Sequence, residues 1–372
     1  MGGPIESIKQ SSAVLTSWGH TVELVSLDGP DEPWLREFPF MVHTLGPGRG
    51  SYGYTPRFAR WVAERRAQYD AVIVHGVWQY SSFGVWRALR GTTTPYFVFP
   101  HGMLDPWFNR TYPLKHLKKL LYWPWGEYRV LRDAAAVLFT SEEEMRLARE
   151  SFALYRCREE VVNYGTGAPE MDLERAGADF VTRFPELREK RIVLFLGRLH
   201  EKKGCEELID AFSTIQQADL HLVVAGPCAD EGYLQQLKRK AEGMAITFTG
   251  MLAGDLKWGA FAVAEVFILP SHQENFGIAV VEAMACGKPV LVSNKVNIWR
   301  EIVADGAGFA DEDDRAGTAR LLTRWLSLDR AFAEEMGRAA RTSFTKRFEI
   351  QQASASLLEA LRRPRAPNAL AA

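Results

Sequence analysis

The sequence predicts an α/β protein built from two Rossmann-like domains, each a parallel sheet covered by helices on both faces. Three observations carry that prediction. Apolar runs rich in Val, Ile, Leu and Phe alternate with helical patterns along the chain, as strands buried on both faces require. These runs fall into two series separated by a polar, charge-rich stretch, Gly165 to Lys190. A length of 372 residues fits about two domains.

The chain opens on Gly2, Gly3 and Pro4, followed at once by an amphipathic helical pattern from Ile5 to Trp18. A doubly wound domain should begin with a strand, so its first strand is expected to be missing: a start placed downstream of the true one, or a truncation. A domain that simply begins with a helix is the competing reading. The first strand series is Thr21–Leu27, Ala71–His75, Tyr96–Pro100, Ala135–Thr140 and Val161–Asn163. Ser141 and Glu144 form a capping-box pattern at the start of a helix. The second series is Ile192–Leu196, His221–Ala225, Ile246–Thr249, Val266–Pro270 and Pro289–Ser293. An amphipathic helix over Glu349–Leu361 and a Pro- and Ala-rich tail close the chain. The expected divisions are residues 1–167, residues 168–345, a helix at 346–362 packing back on the first domain, and a disordered tail at 363–372. Ligands are expected in a cleft between the domains, at the carboxyl ends of the strands.

Composition excludes several classes. A net charge of −1, with 47% hydrophobic and 24% charged residues, gives no overall pull toward nucleic acid or an anionic membrane. Cys157, Cys205, Cys228 and Cys286 lack Cys-x-x-Cys spacing and read as reduced thiols of a cytoplasmic protein. No apolar run reaches the roughly 18 residues of a membrane span. No signal peptide is recognisable, and Glu6 stands where a myristoylation signal wants Ser or Thr.

The informative stretch is SHQENFGIAVVEAMACGKPV, Ser271 to Val290. A strand ends, a polar turn follows, and a helix starts near Phe276–Gly277. Helix N-termini offer free N–H groups and the positive end of a dipole, so they bind phosphate. Glu274 lies just before the helix mouth. Glu282 lies inside an otherwise apolar run, where an unpartnered carboxylate would cost several kcal/mol. A sugar nucleotide has hydroxyls at both ends of a diphosphate, and carboxylates accept from paired hydroxyls. Two structural glutamates are the alternative. The stretch FLGRLHEKKG, Phe195 to Gly204, puts Arg198 and Lys203 in a loop after a strand, suited to a diphosphate. A solvated basic loop is the alternative there.

Together these stretches resemble the retaining GT-B glycosyltransferases of family four, the glycosyl transferases group one. Glu274 and Glu282 match that family's E-x7-E motif, and Gly197, Arg198 and Lys203 match its G-R-x…K loop. The resemblance implies transfer of a hexose from a UDP or GDP sugar to a saccharide or lipid-linked saccharide, in exopolysaccharide biosynthesis at the cytoplasmic face of a membrane. It implies that Glu274 contacts donor-sugar hydroxyls and Glu282 the ribose. Arg198 and Lys203 neutralise the diphosphate, and the amides of Phe276, Gly277 and Ile278 face it. Gly2 and Gly3 resemble the family's Gly-rich loop. His101, directly after a strand in FVFPHGM, resembles the family's histidine near the reacting centre; a structural histidine is the alternative. His75 and Trp78, in VIVHGVWQY, are acceptor-side candidates, against ordinary packing.

Lys115, Lys118 and Lys119 sit among Trp107, Tyr112, Tyr122, Trp123 and Trp125. That mixture suits peripheral contact of residues 106–132 with a membrane, or a solvated helix face over an aromatic core. Asp311-Glu312-Asp313 spells a D-x-D motif but reads as a solvated acidic loop. No metal and no cofactor are expected, because no cluster has ligand spacing. The rival functions are a nucleotide-sugar epimerase on the same scaffold and a non-catalytic sugar-nucleotide-binding subunit. A phosphorylase would need a pyridoxal-binding lysine, which nothing marks.

Overall fold

The computed structural model describes residues 3–38 and 40–363. Gly2 and the tail beyond Arg363 lie outside the described residues. The chain divides into two compact units: Met1–Tyr164 together with the segment from Ile350 onward, and Gly165–Glu349. The chain therefore changes unit a few residues away from both expected boundaries.

The first unit holds β1 (Leu24–Ser26), β2 (Val42–Thr44), β3 (Val72–His75), β4 (Tyr96–Phe99), β5 (Ala136–Phe139) and β6 (Glu159–Val161). Strands β1 and β2 pair with each other, and β3-β4-β5-β6 form a separate parallel sheet. Strands β4 and β5 are buried at every residue, which is why their sequences are continuously apolar. Gly3 and Pro4 are the first residues of the helix Gly3–Ser17, so the loop expected at Gly2 and Gly3 is corrected at Gly3. Proline fits a first helical turn, where its missing N–H costs nothing. The helix Ile350–Arg362 packs against this first helix. Ser356 Oγ accepts from Asn163 N at 3.0 Å.

The second unit holds β7 (Arg191–Leu196), β8 (Leu220–Ala225), β9 (Ile246–Gly250), β10 (Val266–Leu269), β11 (Val290–Ser293) and β12 (Gly308–Asp311). All six are parallel, in the order β12-β11-β10-β7-β8-β9. The chain starts at β7, builds outward through β8 and β9, then crosses back to β10 and builds the other way. The switch point lies between β7 and β10, where a crevice opens beyond the carboxyl ends of the strands. Phe195, Phe261 and Phe267 are fully buried under this sheet.

Candidate active site

The loops that follow β7 and β10 flank the switch point. After β10 the backbone of Glu274 is pinned on both sides: its N–H donates to Lys295 O at 3.0 Å, and its carbonyl accepts from Asn297 N at 2.9 Å. Gly277 then turns at φ 81°, where a Cβ would approach Val280 Cγ2 to 3.0 Å and Glu274 Cγ to 3.4 Å. A side chain there would be strained and would crowd Glu274. The helix Ile278–Ala285 starts at the next residue.

Each glutamate of the pair carries its own lysine. Lys203 Nζ ion-pairs with the Glu274 carboxylate, and Lys257 Nζ donates to Glu282 Oε1 at 2.7 Å. Burial pushes Glu274 up, but Lys203, Lys202 and the Phe276 amide outweigh it and hold the carboxyl below the usual range. Glu282 is only 5% exposed, so its lysine answers the cost of a buried charge. Lys257 carries no motif and was not among the sequence candidates. Its ammonium also lies 4.5 Å from the Trp258 ring centroid.

One backbone expectation needs correction. The Phe276 amide is bonded to the Glu274 carboxylate, because that carboxylate itself occupies the positive helix mouth. The Gly197 N–H donates to Ala225 O at 2.9 Å and so extends the β7–β8 ladder. Gly277 is the N-cap and Ile278 the first helical residue, so neither N–H has an acceptor within the helix and both point out of its end. Arg198 is exposed, and its guanidinium has no ion pair among the described residues.

Behind the turn sits an ion cluster that the sequence reading missed. His272 Nδ1 lies 2.8 Å from Asp313 Oδ2, and Nε2 lies 3.4 Å from Glu207 Oε1. Asp313 and then Glu207 raise the His272 imidazole to about 10. Asp311 holds Arg320 in a two-pronged ion pair. The acidic triplet is therefore paired at both aspartates, not simply solvated. The reason is tertiary: β12 delivers Asp311 beside Arg320 and Asp313 beside His272. Among the described residues no group of three or more His, Cys, Asp or Glu could hold a metal ion.

In the first unit, His75 ends β3 and His101 follows β4. Their Nδ1 and Nε2 atoms lie 3.0 Å apart, with the rings stacked at 5.2 Å and Phe99 stacked against both. Burial pushes His75 down to about 4 and holds His101 well below its ordinary value, with His75 adding to the second effect. Both imidazoles are neutral near pH 7, so one donates and the other accepts.

The backbone of both loops is strained, with Trp78 at φ 71° and His101 at φ 49°. A buried glutamate holds each. Glu127 Oε1 accepts from Trp78 N at 2.8 Å and Ser82 Oγ at 2.6 Å. Glu144 Oε1 accepts from Gly102 N at 2.6 Å, and Oε2 from Thr140 N at 2.8 Å. The Ser141 cap is present, with Oγ accepting from Glu144 N at 3.1 Å, but the Glu144 carboxylate also reaches across to the His101 loop. Burial raises Glu127 to about 7, against the pull of Ser82, Trp78 and Lys119.

The segment over 106–132 contains the helix Pro113–Tyr122, which buries no residue. Leu114, Leu121 and Trp125 are 79%, 72% and 68% exposed. Trp123 of the same segment is buried in an aromatic core with Trp78 and Phe152. No described helix is long and apolar enough to cross a membrane.

Residues 2–165 match the model of the glycosyl transferase 4-like domain, and residues 180–343 that of the glycosyl transferases group 1. The chain is 28% identical over 383 aligned positions to a GDP-mannose-dependent alpha-(1-6)-phosphatidylinositol dimannoside mannosyltransferase of Mycobacterium tuberculosis, covering 97% of this chain and 92% of that one. It is 33% identical over 172 positions to mannosylfructose-phosphate synthase of Agrobacterium fabrum, covering 42% and 38%. Among solved structures it resembles sucrose-phosphate synthase from Thermosynechococcus elongatus, with a TM-score of 0.76 at 20% identity over 97% of this chain and 93% of that one. It also resembles Anabaena HepE in complex with UDP and glucose, with a TM-score of 0.74 at 18% identity over 97% and 96%. The two family models account for both units, and the chain belongs to the group 1 glycosyl transferases of the GT-B fold.

Proposed function

We propose that the protein transfers a hexose from a nucleotide-diphosphate sugar to a hydroxyl of a saccharide or lipid-linked saccharide, with retention at the anomeric carbon and without a metal. One observation carries this reading: two carboxylates, two lysines, a helix N-terminus and an unpaired arginine converge on the β7/β10 switch point. Glu274 and Glu282, ionised and oriented by Lys203 and Lys257, serve as hydroxyl acceptors toward the donor sugar and the ribose. Arg198, Lys203 and the amides of Gly277 and Ile278 stabilise the leaving diphosphate, whose charge grows in the transition state. The C1–phosphate bond breaks as the acceptor oxygen bonds to C1 on the same face. The acceptor proton passes to the departing phosphate oxygen. His101 contributes a neutral imidazole that can hydrogen-bond a sugar hydroxyl. The relative that depends on GDP-mannose favours a GDP sugar for the first trial, in bacterial polysaccharide or glycolipid assembly. The exposed leucines and lysines of Pro113–Tyr122 support peripheral contact with an anionic membrane surface at the cytoplasmic face.

The test is turnover of UDP-, GDP- and ADP-sugars by the full chain, with and without saccharide and lipid-linked acceptors. Acceptor-dependent release of one nucleoside diphosphate, with the product anomer matching the donor's by NMR, is expected. Conversion of the donor alone would favour an epimerase. Tight nucleotide binding without turnover on any acceptor would favour a binding subunit.

A further inference from the structure

A pocket of about 240 Å³ opens in the first unit between Val77, Trp78, Gln79, Met103, Phe108 and Lys119. At about 30 Å³ per water it holds about eight waters, the size of one substituted sugar ring. Its walls are aromatic and aliphatic, and its single charge is Lys119. The ammonium lies 4.7 Å from the Trp78 ring centroid and 5.9 Å from that of Phe108. It is half-buried, and among the described residues no carboxylate lies within ion-pair distance of it. Burial and then Lys115 hold its affinity for a proton down, with Glu127 acting against them. The nearest compensating group is Glu127, which spends Oε1 on Trp78 N and Ser82 while Oε2 is buried without a partner. That carboxylate braces the strained Trp78 turn and so shapes the pocket wall. A strained tryptophan, a buried brace and a half-buried cation with no ion-pair partner among the described residues are costly together, and such costs gather where a ligand is bound.

We propose that this pocket is the acceptor site and that the acceptor carries a phosphate group held by Lys119, its ring lying against the Trp78 and Phe108 walls. The acceptor role rests on the transferase reading above; the phosphate preference does not. A phosphate brings about −1.5 to −2 charges, which suits a wall whose one charge is the Lys119 ammonium better than a neutral hydroxyl does. Lys119 acts by binding and takes no part in bond making.

The full chain, labelled with 5-fluorotryptophan, reports on the pocket through the Trp78 resonance, assigned by Trp78→Phe. Inorganic phosphate is expected to shift that resonance saturably, and glucose 6-phosphate to do so at lower concentration. Glucose alone should act far more weakly. Lys119→Gln should weaken the phosphate response about tenfold or more, while Lys119→Arg keeps most of it. Unchanged thermal unfolding of both variants excludes a folding defect. Lys119-dependent co-sedimentation with phosphatidylinositol vesicles, over phosphatidylcholine vesicles, would name a lipid headgroup as the source. A stronger response to glucose 6-phosphate would name a soluble sugar phosphate. A response equal in wild type and Lys119→Gln, or stronger to glucose than to glucose 6-phosphate, overturns the proposal. Calorimetric titration of UDP and GDP on the same samples separates the two readings. Loss of nucleotide binding sinks the transferase, whereas intact nucleotide binding with no Lys119 dependence sinks only the pocket.

Discussion

The two units handle buried charge in opposite ways. In the second, each carboxylate of the site is met by a lysine, and His272 is held charged between two acids. Around the histidines of the first, the two imidazoles are kept neutral, and the buried carboxylates Glu127 and Glu144 bond to backbone amides and hydroxyls. Ion pairs keep full charge in place, which suits a diphosphate and its growing charge. Neutral rings and braced loops hold shape, which suits a hydroxyl that must lose a proton. On the proposed function, the difference teaches that one fold, used twice, divides electrostatics from positioning.

The largest expected effect falls on Arg198, the exposed cation that nothing in its own unit neutralises. Arg198→Ala should lower turnover about 100- to 1,000-fold, because it acts on charge that develops in the transition state. Folding stability should move by less than about 0.5 kcal/mol, since no contact is lost. Steady-state kinetics beside urea unfolding checks both numbers. Near-normal turnover would remove the electrostatic half of the comparison.

Next comes the Lys257–Glu282 pair. Lys257→Met removes the ion-pair partner of a carboxylate that is 5% exposed and should cost about 3 kcal/mol. Adding Glu282→Gln should recover much of that loss, while donor affinity stays low because the ribose acceptor is gone. Denaturant midpoints and nucleotide titration read the two outcomes separately. If the double variant is no more stable than the single one, the pair is not a unit.

The units should also lose stability at opposite ends of the pH scale. His75 is depressed to about 4 against an unfolded value of about 6.5, so the unfolded chain binds the proton first. Its contribution is complete above about pH 6.5 and is lost as pH falls toward 4. His272 is raised to about 10, so its contribution is complete below about 6.5 and is lost as pH climbs toward 10. Each limb should amount to about 2 kcal/mol, allowing for the partial exposure of both rings. His75→Phe should shrink the acid limb, leaving the part due to buried His101, and His272→Asn should flatten the alkaline one, in melting temperatures taken from pH 4 to 10. A single variant that flattened both limbs would erase the contrast.

Much of this frame was legible because the strands that position the site are buried on both faces. Strands β7, β8, β10 and β11 announce themselves as apolar runs. Strand β2 is three half-exposed residues and β12 starts on glycine and ends on an acid, so neither carries that signal. Glu282 stands out because it breaks an apolar run, and Glu274, Arg198 and Lys203 because they complete motifs that resemble a family's. Their partners do not. Lys257 sits in the helix Gly254–Val263 with nothing local to mark it, and only folding brings it to Glu282. Glu127 looks like an ordinary helix-starting acid, and Glu144 like half of a capping box. Their reach to Trp78 N and Gly102 N exists only once β3, β4 and the following helices are assembled. Sequence shows which side chains are out of place; tertiary structure shows what keeps them there.

The smallest expected effect is at Asp311, and it sharpens the comparison from the side of the metals. Asp311 and Glu312-Asp313 spell the motif that holds a divalent ion in other transferases, yet Asp311 is spent on Arg320. The Arg320 side chain is 56% exposed, so the pair is open to water and salt. Arg320 and the Glu312 amide hold the Asp311 carboxyl below its ordinary range, but at such a site this is worth under about 1 kcal/mol. Asp311→Asn should therefore shift stability only slightly and leave turnover intact, and EDTA should leave turnover intact as well. If EDTA abolished activity and added magnesium or manganese restored it in wild type but not in Asp311→Asn, a cation would be doing the work assigned here to Arg198 and Lys203. The ion pairs of the second unit would then be scaffolding for a metal, and the division of labour between the units would have to be redrawn.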